Sequence, residues 1–172
     1  TDRKGWLRIS ASPYTLDEAK MISMICRRQT EHDFVSATHM EFSTSNENEE
    51  AGMTLIQNNT HHYDLLLKKV TGQNVVQLRV RVGSLSYIAA KKQIKGNSIN
   101  LKIEGTPLKY TFLYSETETG TYKELGQLDT RYLSTEVAGG FTGVMIGLYA
   151  SSNGKASKAK AWFDWFSYEA KE

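Results

Sequence analysis

Apolar and polar residues alternate with a period of two along much of the chain. In Val76-Gln77-Leu78-Arg79-Val80-Arg81-Val82 the apolar set points one way and the polar set the other. Ile99-Asn100-Leu101-Lys102-Ile103-Glu104 repeats the pattern, and Phe34, Met40 and Phe42 share a face opposite His39 and Glu41. This periodicity predicts half-buried antiparallel strands. Two segments are apolar on both faces: Leu108 to Tyr114, and Ala161-Trp162-Phe163-Asp164-Trp165-Phe166. Such strands belong in the middle of a sandwich or under a covering domain. Turn signals recur at Thr71-Gly72-Gln73, Lys95-Gly96-Asn97, Thr119-Gly120-Thr121 and Ser152-Asn153-Gly154-Lys155, and the Asn153-Gly154 pair fits a tight hairpin. About ten to twelve short strands without a sequence repeat predict an all-β chain, a β-sandwich or jelly roll.

Two segments do not alternate. Thr15-Leu16-Asp17-Glu18 reads as a capping box, yet Ile22, Met24 and Cys26 fit a strand. The expectation is a loop with at most one helical turn, followed by a strand from about residue 22. The second is Ser134-Thr135-Glu136-Val137-Ala138-Gly139-Gly140-Phe141-Thr142-Gly143, with a strand-like run after it. Glycine lets a backbone take positive φ or approach another surface closely. A large ring on such a loop is wasted apolar area unless it touches something, so Phe141 reads as a finger aimed at a partner.

Composition narrows the classes. At 172 residues, with 40 % hydrophobic and 23 % charged, the chain is an ordinary globular domain long enough for a sizeable core. A single domain over residues 1–172 is expected. A net charge of +2 with scattered basic residues offers no electrostatic case for nucleic acid or an anionic membrane. Cys26 is alone, which removes internal disulfides and cysteine metal clusters and leaves the compartment open. No apolar run approaches the roughly 20 residues of a membrane span, and the start lacks a signal-peptide pattern. An opening without Met suggests a fragment.

Candidate chemistry is sparse. Glu47, Glu49 and Glu50 could in principle supply a carboxylate pair for glycoside hydrolysis. The run Ser45-Asn46-Glu47-Asn48-Glu49-Glu50 is polar throughout, however, and reads as a solvated turn. His61 and His62 are adjacent and point to opposite faces of a strand, while His32 and His39 lack acidic partners at metal spacing. Arg27 and Arg28 could clamp a carboxylate, within the domain or across to a partner. Trp6, Tyr63, Tyr87 and Tyr149 could form a stacking platform for sugar rings, or pack in the core and interfaces like most rings of a sandwich.

Four blocks occur in order: Arg27-Arg28-Gln29-Thr30, Glu47 to Gly52, Tyr132 to Gly143, and Phe163-Asp164-Trp165-Phe166. With Gly5-Trp6-Leu7-Arg8-Ile9 at the start, the whole chain resembles the C-terminal domain of glycoside hydrolase family 43, the β-xylosidase and α-L-arabinofuranosidase group. The resemblance implies a concanavalin A-like β-sandwich of two antiparallel sheets, cut as a C-terminal fragment from a larger glycosidase. Its partner would be an N-terminal catalytic propeller, and its ligand a xylo- or arabino-oligosaccharide. Phe141, with Gly139, Gly140 and Thr142, would close one side of the substrate pocket, and the chain itself would hold no catalytic residue. An independent carbohydrate-binding module and a purely structural interaction domain are the alternatives. No cofactor is required; the resemblance leaves Asp164 either as a structural calcium ligand or as a partner in a hydrogen bond or ion pair. Periplasmic or secreted enzymes are common in this group.

Overall fold

The computed structural model describes residues 2–117 and 119–171. In chain order the strands are β1 (Leu7–Ser10), β2 (Ser23–Arg28), β3 (Phe34–Phe42), β4 (Glu50–Asn58), β5 (His61–Val70) and β6 (Gln73–Val82). They continue with β7 (Leu85–Gln93), β8 (Ser98–Gly105), β9 (Lys109–Ser115), β10 (Lys123–Asp129), β11 (Met145–Ser151) and β12 (Lys160–Ala170). One sheet runs β1-β12-β3-β8-β9-β10 and the other β2-β11-β4-β5-β6-β7, every pairing between strands being antiparallel. The two sheets stack as a sandwich with the main core between them.

Alternation decides what enters that core. Met53, Leu55, Leu65, Leu67, Val76 and Leu78 from the second sheet meet Phe34, Met40, Leu101, Ile103, Phe112 and Phe163 from the first, all buried. Tyr63 stands edge-on to Tyr110 and Phe112, with ring centroids 6.3 Å from each, so it is a core ring and takes no part in a sugar platform. Its hydroxyl donates to the Asp129 carbonyl at 2.8 Å, which ties β5 to the end of β10.

The doubly aromatic end of the chain has a specific cause. Phe163 pairs with Met40 and Trp165 with His39, leaving Asp164 as the extra residue of a β-bulge. The bulge resets the alternation. Phe163 and Phe166 both pack on the core while Trp165 stays exposed.

The Thr15–Glu18 segment makes a single turn: the Glu18 carboxylate accepts from the Thr15 N–H at 2.8 Å, and the Glu18 N–H donates to the Thr15 carbonyl at 3.2 Å. Leu16 is thereby pressed onto a second apolar cluster, with Ile56, Leu66 and Tyr149, on the outer face of the second sheet. The expectation of a tight hairpin at Asn153-Gly154 is corrected. Asn153 (φ 48°) and Gly154 (φ 87°) do form a tight turn, closed by the Lys155 N–H on the Ser152 carbonyl at 3.3 Å. That turn lies inside a crossover, because β11 and β12 belong to different sheets. Local turn chemistry was right and the pairing was not.

Candidate functional site

After β10 the chain makes a 3-10 turn, Thr130–Leu133, and a one-turn helix α1, Thr135–Ala138. Leu133 is buried and anchors this segment to the main core. The helix stops at Gly139 (φ 73°, ψ −179°), a backbone state open essentially to glycine alone. Gly140 (φ 76°) and Gly143 (φ 73°) also lie in the left-handed region. Between them Phe141 is fully exposed (103 %), the most exposed large apolar side chain described.

The loop around it is held at both shoulders by the end of β4. The Asn58 side-chain amide donates to the Ala138 carbonyl at 2.9 Å, and the Gln57 amide donates to the Gly139 carbonyl at 3.3 Å. On the far side the Thr142 hydroxyl approaches the Gln57 carbonyl at 3.5 Å, and the Gln29 N–H donates to the Val144 carbonyl at 2.9 Å. The two amide bonds take up carbonyls that a short helix leaves without partners at its C-terminus. Next to the loop opens a cleft of about 630 Å³, with Leu108, Tyr110, Leu133, Val137 and Val144 among its walls.

The structure brings Gly139, Gly140, Phe141 and Thr142 together on this loop. Gln57 and Asn58 were not singled out in the sequence. Nothing at the end of a strand marks an amide as the holder of a loop some eighty residues later in the chain.

A second polar assembly lies on the outer face of the second sheet. The Asp64 carboxylate, fully buried, accepts from Thr54 Oγ1 at 2.7 Å, from His62 Nδ1 at 2.9 Å and from Arg79 Nε at 2.9 Å. His62 Nε2 reaches Asp17 Oδ1 at 2.9 Å, so the imidazole lies between two carboxylates. Arg79 continues to Glu50 at 2.8 Å and donates to the Tyr149 hydroxyl at 3.0 Å, and that hydroxyl donates to Glu50 Oε1 at 2.5 Å. Burial disfavours the His62 charge, yet Asp64 and Asp17 outweigh it and push the imidazole up to about 9. Burial likewise opposes ionisation of Asp64, while His62 and Arg79 hold it down at about 2. Tyr149 is raised well above the ordinary phenol range by burial and by the neighbouring Glu50 carboxylate.

This assembly corrects the reading of the acidic run as a solvated turn at Glu49 and Glu50, while Ser45 to Glu47 are exposed in a loop as expected. Glu50 opens β4 and is buried, and Glu49 is buried as well, held by Asn46 at 3.0 Å, Ser157 at 2.5 Å and Thr44. Glu47 accepts from the Gly72 N–H at 3.0 Å. Each carboxylate is committed to a structural partner, so these residues do not form a hydrolytic pair. Beside the local Thr44 and Asn46, their partners include Arg79, Tyr149 and Ser157, which no local spacing connects to the run. The alternation Gln77-Arg79-Arg81 and the lone acid in Tyr63-Asp64-Leu65-Leu66-Leu67 were the available signals.

The remaining candidates disperse. Tyr149 is buried in the charge assembly, Tyr87 is exposed on β7, and the Arg3 guanidinium stacks 3.3 Å from the Trp6 ring centre. Arg27 lies over Tyr168 at 3.7 Å, and Arg28 packs beside Gly143. Asp164 is exposed at its bulge. Among the described residues no group of three or more His, Cys, Asp or Glu side chains could hold a metal. Calcium asks for six to eight oxygens, and the Asp164 site presents one carboxylate.

The fold and the loop define a concanavalin A-like sandwich whose conspicuous surface feature is a presented aromatic ring. The chain belongs to the beta-xylosidase C-terminal concanavalin A-like domain family, which matches residues 1–169. It is 34 % identical over 169 residues to a non-reducing end alpha-L-arabinofuranosidase of Bacteroides ovatus, covering 98 % of this chain and 32 % of that protein. It is 30 % identical over 170 residues to a xylosidase/arabinosidase of Butyrivibrio fibrisolvens, with the same coverage. A solved structure of the Bacteroides ovatus xyloglucan-locus GH43B protein superposes with a TM-score of 0.93, over 99 % of this chain and 34 % of that one. A GH43 protein of Bacillus licheniformis, 27 % identical, gives 0.91 over 99 % and 34 %. The chain therefore spans about a third of the length of these relatives and corresponds to the C-terminal part of glycoside hydrolase family 43 enzymes.

Proposed function

We propose that this domain is a non-catalytic accessory sandwich that packs on the catalytic propeller of a family 43 glycosidase and supplies Phe141 as one wall of the substrate pocket. The observation that carries the reading is the fully exposed ring on a loop whose two shoulders are fixed. A presented ring acts by shape and by excluding water, and moves no proton. The relatives named for xylosidase and arabinofuranosidase activity favour xylo- or arabino-oligosaccharides as the substrate class.

The test compares wild type and Phe141→Ala in the full-length enzyme on nitrophenyl xyloside and arabinofuranoside, with the isolated domain as control. Lower kcat/KM in the variant and no turnover by the domain are expected. Wild-type kinetics in the variant would favour a structural interaction domain, and turnover by the isolated domain would overturn the assignment of catalysis. The carbohydrate-binding-module reading has less support, since Tyr63 and Tyr149 are buried and Trp6 is covered by Arg3. Calorimetric titration of the domain with xylan oligosaccharides checks it directly.

A further inference from the structure

We infer that Gln57 and Asn58, the last two residues of β4, are positioning residues for Phe141. The inference rests on the reading of that ring as a pocket wall and adds the residues that aim it. Gly139 and Gly140 have open space where a side chain would stand, and both take positive φ. Left alone, two successive glycines would let the ring sweep a wide arc. The Asn58 and Gln57 amides hold the carbonyls of Ala138, just before that hinge, and of Gly139, its first residue. Asn58 is itself rigid, because its Oδ1 accepts from the Thr60 N–H and hydroxyl, each at 3.0 Å.

Gln57 carries the sharper argument. Its side chain is buried, and among the described residues its Oε1 has no hydrogen-bond partner. A buried acceptor left unpaired costs stability, and a methionine of similar length would not incur that cost. Among the described residues the one hydrogen bond its side chain makes is to Gly139. A residue serving the core alone would be apolar here, so the amide serves the loop.

This predicts an unusual pair of effects for Gln57→Met. The domain's Tm should stay level or rise, while exchange of the Ala138 and Gly139 amides, which donate to the Ser134 and Thr135 carbonyls, should accelerate about fivefold, the weight of one net hydrogen bond. In the full-length enzyme kcat/KM should fall by about the same factor. The fall should vanish when Phe141 is already alanine, because a positioning residue acts only through the ring it positions. Asn58→Ala is the second variant, expected to accelerate exchange in the same segment, and it decides the matter if Gln57→Met does not fold.

Unchanged loop exchange in the variants would overturn the inference, and so would a kcat/KM loss that persists at full size in the Phe141→Ala background. The two readings fail separately. If Phe141→Ala leaves activity intact while Gln57→Met still loosens the loop, the pocket wall is lost and the anchoring is supported. If Phe141→Ala impairs activity and exchange does not change, the pocket wall stands and the anchoring is lost.

Discussion

Titration of His62 offers the most direct test of how the outer face of the second sheet is held. The imidazole is 1 % exposed and sits between Asp64 and Asp17, with Arg79 and Arg81 as the nearby cations. Burial alone would favour the neutral ring, and the two carboxylates reverse that, raising it from 6.5 to about 9. At about 1.4 kcal/mol per pH unit, the rise corresponds to roughly 3 kcal/mol of folding stability. A raised folded-state value means this stability is complete below about pH 6.5. It drains away as pH climbs to about 9, because the unfolded chain then binds fewer protons than the folded one. Asp64 has the opposite sign. Lowered from 3.8 to about 2, it contributes above 3.8, and the contribution fades as pH falls through about 2. The two values describe largely one buried pair, so they define a window, not two additive gains.

Urea unfolding of the wild-type domain from pH 5 to 9.5, with His62→Gln in parallel, measures this. The wild-type advantage should be greatest near pH 5–6 and shrink by roughly 3 kcal/mol at the alkaline end. An NMR titration gives an independent readout, in which the His62 ring should still be protonated at pH 8. A ring that titrates near 6.5, or a wild-type advantage flat with pH, would refute the electrostatic account even if His62→Gln proved destabilising.

Four further substitutions separate backbone, packing and polar effects. Gly52→Ala should cost roughly 3 kcal/mol or more in chemical denaturation, since a Cβ there collides with the Leu65 carbonyl of the paired strand. Gly140→Ala should cost only about 1–2 kcal/mol, because space is open and the penalty is the left-handed backbone alone. Tyr149→Phe should lose about 1–3 kcal/mol by stripping a buried donor from Glu50, seen as a lower urea midpoint at unchanged slope. Phe141→Ala should leave the domain's Tm unmoved, within about 0.5 kcal/mol, because the ring contributes nothing to its own core.

Period-two alternation carried the reading of β3, β6 and β8, because one face of each enters the core and the pattern records that directly. It failed where the outer face is buried too. Gln77 and Asp64 sit on the polar side of their strands and are nonetheless buried, since Leu16 and its neighbours fold over that side. Glu50 looked solvated because its partners come from distant strands: Arg79 is 29 residues away and Tyr149 is 99. The bulge at Asp164 left a trace in the sequence, aromatics on both apparent faces, but a single inserted residue and a doubly buried strand give the same trace. The Phe141 loop was legible for a different reason. Glycines in that density have few structural explanations, whereas the amides that hold the loop look like any other strand end.

Why an exposed ring should need a fixed base follows from magnitudes. Burying a phenylalanine ring against a neighbour returns about 1.5–3 kcal/mol. Ordering a free backbone costs roughly 1–2 kcal/mol for each residue fixed. If the whole 139–143 segment had to be ordered at the moment of docking, that cost would exceed what Phe141 could return. Anchoring the shoulders through Gln57, Asn58 and the Gln29–Val144 bond places most of it in the folding of the domain. β4 is suited to the task. It pairs with β11 and β5 inside the sheet, begins at Glu50 in the buried charge assembly, and ends at the two amides. The rigidity of the network at one end of the strand and the aim of the ring at the other are therefore two consequences of the same central element.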